Sequence, residues 1–208
     1  VEDLSVKLAI DASHGSIIDG RVDPGVCVGA FREVDWSLLV SQMAASRLGW
    51  TSWPVELRLL RPDAYHHPSL GDRGLLADGF DLVLSIHANS GARGEHGPLC
   101  FHRQGDRFAA GVSDAIIRDI GRHGEYVDGL FVKPMRSQIF ALDPQPPKWQ
   151  LRASHVVGAY RCPCVLLEAE YTSHDLSLCW LMSEHGLGAV AKALLAGVQR
   201  ALVLRGEI

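Results

Sequence analysis

Apolar residues recur along this chain in two rhythms. Short, nearly unbroken apolar runs at residues 5–10, 55–60, 82–86, 99–102 and 165–167 read as buried strands. Between the first two, Val34, Leu38, Leu39, Met43 and Leu48 fall at helical spacing and predict a helix over residues 33–48. Further helices are expected over residues 72–78, 107–122, 175–183 and 187–204. The last is broken by Lys192, Gln199 and Arg200, so it reads as a packed amphipathic helix and not as a membrane span. Strands alternating with helices predict an α/β fold: a mostly parallel twisted sheet of about six strands with helices on both faces. No internal repeat or linker divides residues 1–208, so a single domain is expected. Residues 123–155, carrying Pro134, Pro144, Pro146 and Pro147, read as a long irregular surface excursion.

Composition changes this picture little. Hydrophobic residues make up 47% and charged residues 21% of the 208, the profile of a globular domain. The formal net charge of −4 argues against a general nucleic-acid binder. The first residues lack a basic stretch followed by an apolar one, so no signal peptide is expected. Cys27, Cys100, Cys162, Cys164 and Cys179 are odd in number, lack metal-type spacing and read as buried free thiols. Ten histidines stand out, and their positions are what matter.

Three strand-like runs stop at a side chain able to bind metal or move protons: His14 after the first, His87 after the third and Glu168 after the last. In an open α/β sheet the carboxyl ends of parallel strands share one crevice, so these residues are expected to converge. Glu33 joins them from the first turn of the first helix. Two imidazoles and one carboxylate make a three-ligand set that leaves a zinc position open, and a further carboxylate supplies a general base. Either histidine alone reads equally well as a hydrogen-bonded loop residue. Asp11 either orients His14 or caps its own turn. Glu170 lies two positions beyond Glu168, hence on the same face of a regular strand, and either competes with it as base or contacts substrate. Arg73 reads either as a substrate-carboxylate binder or as a helix-face salt bridge, and Asn89 as a loop anchor or substrate contact.

The motifs themselves resemble a known family. Asp11, His14 and Gly15 stand in a D-A-S-H-G string similar to the D-x-G-H-G opening of zinc-dependent N-acetylmuramoyl-L-alanine amidases, the peptidoglycan amidases of cell-separation systems and phage endolysins. Asp23, Pro24 and Gly25, followed by Gly29 to Asp35, resemble the stretch leading into that family's metal-binding Glu. Arg61 and Asp63 sit in a string like L-T-R-x-x-D, and Arg73 in one like L-x-x-R. Ser85 to Ser90 read S-I-H-A-N-S, nearly the family's S-I-H-A-N-A, and Cys162 to Glu168 are similar to P-A-V-L-V-E. The matches keep family order over roughly residues 6–203. The resemblance implies that His14, Glu33 and His87 hold Zn2+ and that Glu168 is the catalytic acid/base. It implies cleavage of the bond between N-acetylmuramic acid and L-alanine. The partners would be peptidoglycan stem peptide and glycan, met in the cell envelope by a bacterial enzyme or from the host cytoplasm by a phage lysin.

Three departures from the pattern bear on the site. Ser13 and Ser16 replace glycines, residues 17–22 look like an insertion near the metal, and residues 123–155 match poorly. His174 takes the place of an Asn in the F-I-S-N string. Two other readings therefore stay open: a zinc carboxypeptidase or deacylase of the same fold, and a cell-wall-binding module without catalysis.

Overall fold

The structure, a computed structural model, describes residues 5–91, 95–123, 126–127, 130–131, 138–206 and 208. Six strands form the central sheet: β1 (Val6–Ala12), β2 (Val55–Leu59), β3 (Leu82–Asn89), β4 (Leu99–Arg103), β5 (Gln138–Leu142) and β6 (Cys164–Tyr171). Six helices accompany it: α1 (Glu33–Leu48), α2 (Leu70–Leu76), α3 (Arg107–His123), α4 (Leu151–Ala159), α5 (Asp175–Met182) and α6 (Glu184–Arg205). The strand order is β5-β4-β6-β3-β1-β2. All neighbours are parallel except β6 and β4, so β4 and β5 run against the other four strands. The chain passes from β1 to β2 on one side and then to β3 on the other. The carboxyl ends of β1 and β3 therefore flank a topological switch point, where open sheets of this kind bind ligands.

Alternation along the strands divides the core in two. Leu8 and Ile10 of β1, Leu84 and Ile86 of β3 and Val165 and Leu167 of β6 face one layer, closed by apolar residues of α1, α3, α5 and α6. Ala9, Val83, Leu166 and Phe101 face the other, where Ala153 and Val157 of α4 pack with Tyr160. Helix α6 is long and apolar enough to cross a membrane, but 50% of its apolar window is buried, and Val190, Leu194, Val198 and Leu202 lie wholly within the core. Its length there serves packing, not insertion.

Two sequence expectations need correction. Residues 123–155 are not a plain excursion: the described part contains the edge strand β5, paired in parallel with β4, and most of α4. Residues 124–125, 128–129 and 132–137 of that expectation lie outside the described residues. The edge strand escaped notice because most of it is exposed and lacks alternation. The cysteines are free, but Cys27 and Cys179 are exposed and Cys162 is half-buried, leaving only Cys100 and Cys164 in the core.

Helix α6 begins three residues earlier than its apolar period implies, because the Ser183 side chain accepts the Gly186 N–H and caps it. Gly186 is required there by space: a Cβ would come within 1.9 Å of the Trp180 carbonyl oxygen. Gly186→Ala is therefore expected to lower unfolding free energy by about 1–3 kcal/mol, the cost of overpacking. Urea denaturation read by circular dichroism checks this, and an unchanged midpoint would contradict it.

Candidate metal centre and catalytic cavity

The first strand leaves the sheet at Ala12 and turns sharply. His14 adopts a left-handed backbone conformation with φ 58°, and Gly15 follows at φ 80°. This conformation is uncommon for a residue with a side chain and persists only where its surroundings enforce it. Two buried arginines supply the enforcement. Arg61 donates from Nε to the Ala12 carbonyl at 3.2 Å, and from Nη2 to the carbonyls of Ser13 at 3.1 Å and Val34 at 2.7 Å. Arg73 donates to the Ala12 carbonyl at 2.7 Å and also to the His14 carbonyl. Burial and the neighbouring Arg73 guanidinium lower the Arg61 pKa to about 10, so it is still a cation at neutral pH.

Glu33 is the first residue of α1, where the helix dipole favours a negative charge. Its carboxylate is 1% exposed yet fully partnered. Oε2 lies 3.1 Å from His14 Nε2 and accepts the Val26 N–H at 2.9 Å. Oε1 lies 3.1 Å from His87 Nδ1 and accepts the Ala88 N–H at 3.1 Å. Burial alone would raise the Glu33 pKa, but hydrogen bonds and charge from the two imidazoles hold it well below the carboxylate range. His14 has a carboxylate at each ring nitrogen, since Nδ1 meets Asp23 Oδ2 at 2.7 Å. Burial would lower its pKa, and the bond to Glu33 overrides this and lifts it to about 9.

These residues suit a metal ion. Donor atoms of His14, Glu33 and His87 all lie within 4.8 Å of one another, and two imidazoles with a carboxylate match a zinc set with one open position. Asp23 on His14 is the second carboxylate that such histidines commonly carry. His87 Nε2 is buried without a partner among the described residues. Gly25 leaves the approach clear, since a Cβ there would fall 2.6 Å from His14 Cδ2 and 2.7 Å from Glu33 Oε2.

Glu168 is the register partner of His87 across β6 and β3, so the two side chains lie abreast on one face. Its Oε2 is buried with no hydrogen-bond partner among the described residues. Burial pushes its pKa up to about 7, opposed by His87 and assisted by Glu33. A bulge then breaks the alternation: Glu168 pairs with His87, but Tyr171 pairs with Asn89. The extra residue turns Tyr171, and not Glu170, toward the cavity. Glu170 is instead fully buried, with Oε1 accepting the N–H groups of Gly97 at 2.6 Å and Tyr171 at 2.8 Å. Glu170 thus lies behind the cavity wall, and neither the competing base nor the substrate contact expected of it fits that place.

Asp11 does not reach His14. Its Oδ1 accepts from Arg73 Nη1 at 2.6 Å, and its Oδ2 from Ser85 Oγ and Tyr160 Oη, both at 2.7 Å. Burial would raise the Asp11 pKa, but Arg73 and the two hydroxyls outweigh it, and the net shift is downward. Arg73 is 3% exposed and is spent on this pair and on the loop carbonyls. It is therefore a structural ion pair inside the protein, not a substrate-carboxylate binder. Asn89 lines the cavity, and its carbonyl accepts from Thr172 N at 2.8 Å and from Thr172 Oγ1 at 3.0 Å. His174 Nδ1 accepts from Ser177 N at 3.3 Å and caps α5, work an Asn does equally well. Asp23 and Arg61 were present in the sequence strings without an assigned role. The insertion at residues 17–22 forms an exposed hairpin that returns the chain directly to Asp23.

The site opens into a cavity of about 1150 Å³ that runs from His14, Glu33 and His87 past Glu168 to Phe140 and Trp149. One carboxyl able to carry a proton at neutral pH thus sits beside a metal-type cluster on the wall of a large cleft, an arrangement suited to hydrolysis.

Two outcomes are expected. Arg73→Leu leaves Asp11 charged and unpaired in the core and should lower unfolding free energy by about 3–5 kcal/mol at neutral pH. Because the Asp11 pKa is lowered in the fold, the Asp11–Arg73 contribution is present above pH 3.8 and lost as pH falls below it. The gap between the denaturation curves of wild type and variant should therefore be full at pH 7 and narrow progressively as pH is lowered below 3.8. In the metal-free protein, Glu168 should titrate near pH 7 by carboxyl NMR, protonated below and ionised above. A titration at pH 4.5 would contradict its placement.

Relatives share this architecture. The sequence profile of the N-acetylmuramoyl-L-alanine amidase family matches residues 8–200. Among proteins of curated function, none matches the sequence significantly. The catalytic domain of CwlV, an N-acetylmuramoyl-L-alanine amidase from Bacillus (Paenibacillus) polymyxa var. colistinus, superposes with a TM-score of 0.73 at 22% identity, covering 95% of this chain and 98% of that one. The CwlD amidase from Clostridioides difficile, solved in complex with the GerS lipoprotein, gives 0.75 at 18% identity over 96% and 100% of the two chains. The amidase AmiC2 of Nostoc punctiforme gives 0.70 at 22%, covering 95% and 97%. With a profile spanning nearly its whole length and the fold to match, this chain belongs to the N-acetylmuramoyl-L-alanine amidase family.

Proposed function

We propose that this chain is a zinc-dependent hydrolase that cleaves the amide between the lactyl group of N-acetylmuramic acid and L-alanine in peptidoglycan. The carrying observation is the pairing of a His14–Glu33–His87 cluster with the buried, unpartnered carboxyl of Glu168 beside it. His14, Glu33 and His87 would hold the ion, and when bound it supplies Lewis-acid polarisation and acidifies water. Glu168 accepts a proton from the attacking water as the new C–O bond forms. It then returns that proton to the amine nitrogen as the C–N bond breaks. The products are a lactyl carboxylate on the glycan and a free L-alanine amino terminus on the peptide. Asp23 keeps the His14 ring oriented throughout, and burial of Glu168 favours its protonated form, which suits it to take up the proton and return it. The reaction places the protein's action in the cell wall.

A binding module without catalysis has no use for a desolvated carboxyl beside a metal-type cluster, which favours the enzyme. Digestion of purified peptidoglycan should create new N-terminal alanines while glycan strands stay intact, and a chelator should abolish this. Glu168→Gln should keep zinc binding and lose roughly 10²–10⁴-fold in turnover. Release of D-amino acids would instead identify a carboxypeptidase, and zinc binding without any release would identify a binder.

A further inference from the structure

The cavity is far larger than one amide needs, and its two ends differ in chemistry. Of the carboxylates that line it among the described residues, Asp23, Glu33 and Glu168 stand at the metal-type cluster and Glu95 lies by Gly91 and Tyr171. The other end carries an aromatic wall and cations. Phe101 of β4 and Phe140 of β5 are register partners whose rings stack at 5.2 Å with an interplanar angle of 18°. Trp149 stands edge-on to Phe140 at 5.1 Å and to Phe101 at 6.5 Å, and remains 61% exposed. Lys148 and Arg152 flank Trp149 on the short helical stretch entering α4, exposed and lining the same cavity. Neither has a carboxylate partner among the described residues.

We propose that this end is a subsite for the carboxylate-bearing distal part of the stem peptide, with Trp149 as platform and Lys148 and Arg152 as the anion contacts. The proposal rests on the amidase reading above. Charge decides the occupant. In intact peptidoglycan the lactyl carboxyl is tied up in the amide, so the glycan beside the scissile bond is neutral. The stem is a peptide and ends in a carboxylate. Two cations without a carboxylate partner among the described residues therefore complement the peptide side and not the sugar side. Distance agrees with this. Phe140 lies two strands across from β6 and two residues along from the level of Glu168. With strands roughly 4.8 Å apart and a rise of about 3.3 Å per residue, that separation is about 12 Å. An extended peptide covers it in three to four residues, which brings the third or fourth stem residue to Trp149.

Kinetics on three soluble fragments test this: an N-acetylmuramoyl tetrapeptide with a free C-terminal carboxylate, its C-terminal amide, and an N-acetylmuramoyl dipeptide amide. For the wild type, the acid should show a KM about tenfold below its amide at low salt, an advantage that shrinks as salt is added. The double variant Lys148→Gln, Arg152→Gln should erase that preference by raising KM for the acid at unchanged kcat. Trp149→Ala should raise KM for both tetrapeptides relative to the dipeptide. Circular dichroism establishes that the variants fold. Equal KM for acid and amide in the wild type would overturn the proposal, as would a double variant that slows all three fragments alike. Competition by a neutral chitin tetrasaccharide that is lost in Trp149→Ala would assign the platform to the glycan instead. If neither a fragment nor purified peptidoglycan is cut, the amidase reading falls. Calorimetric binding of the free tetrapeptide, lost in the double variant, would still uphold the subsite, and no binding would overturn it.

Discussion

Burying the carboxylate of Glu33 sets a demand that three other segments of the chain must answer together. A desolvated carboxylate is costly unless its lone pairs are filled. Here they are filled by His14 from the turn after β1, His87 from β3, and the amides of Val26 and Ala88. Val26 is brought to Glu33 by the short hairpin between them, but the two imidazoles and the Ala88 amide come close only once the sheet and α1 have docked. The site and the fold are thus formed by the same event, and the close set of metal-type donors is a by-product of satisfying one anion.

The same economy governs the turn that presents His14. Left-handed backbone at a non-glycine residue persists because Arg61 and Arg73 fill the carbonyls around it. Asp11 neutralises Arg73 and in turn draws in Ser85 and Tyr160, so strand, helix and loop share one buried polar network. That network never touches the cavity, yet it fixes the direction in which the first imidazole points.

Much of this was legible in the residues. Strands ending at His14, His87 and Glu168 announced a crevice, because a parallel sheet brings its strand ends together whatever its exact register. What escaped the sequence depended on register or on distant partners. Glu170 looked equivalent to Glu168 under strict alternation, and a single bulged residue before Tyr171 removed that equivalence. Arg73 looked like a surface cation because its carboxylate partner lies 62 positions away. Strand β5 was invisible because an edge strand with an exposed face carries no apolar rhythm. Asp23 stood in plain view, but its role needed the hairpin before it to fold back over His14.

The reversal of direction at β4 has a consequence for how such a site can change over time. The catalytic groups are anchored at or near the carboxyl ends of parallel strands, held by buried charges that tolerate little substitution. The opposite wall is made from the mid-strand faces of β4 and β5 and the start of α4, where Phe101 and Ala153 belong to the core but Lys148, Trp149 and Arg152 are exposed to the cleft. Reaction and selectivity are therefore written on separate sets of positions. One wall of the cleft can be rewritten while the chemistry of the other stays where it is.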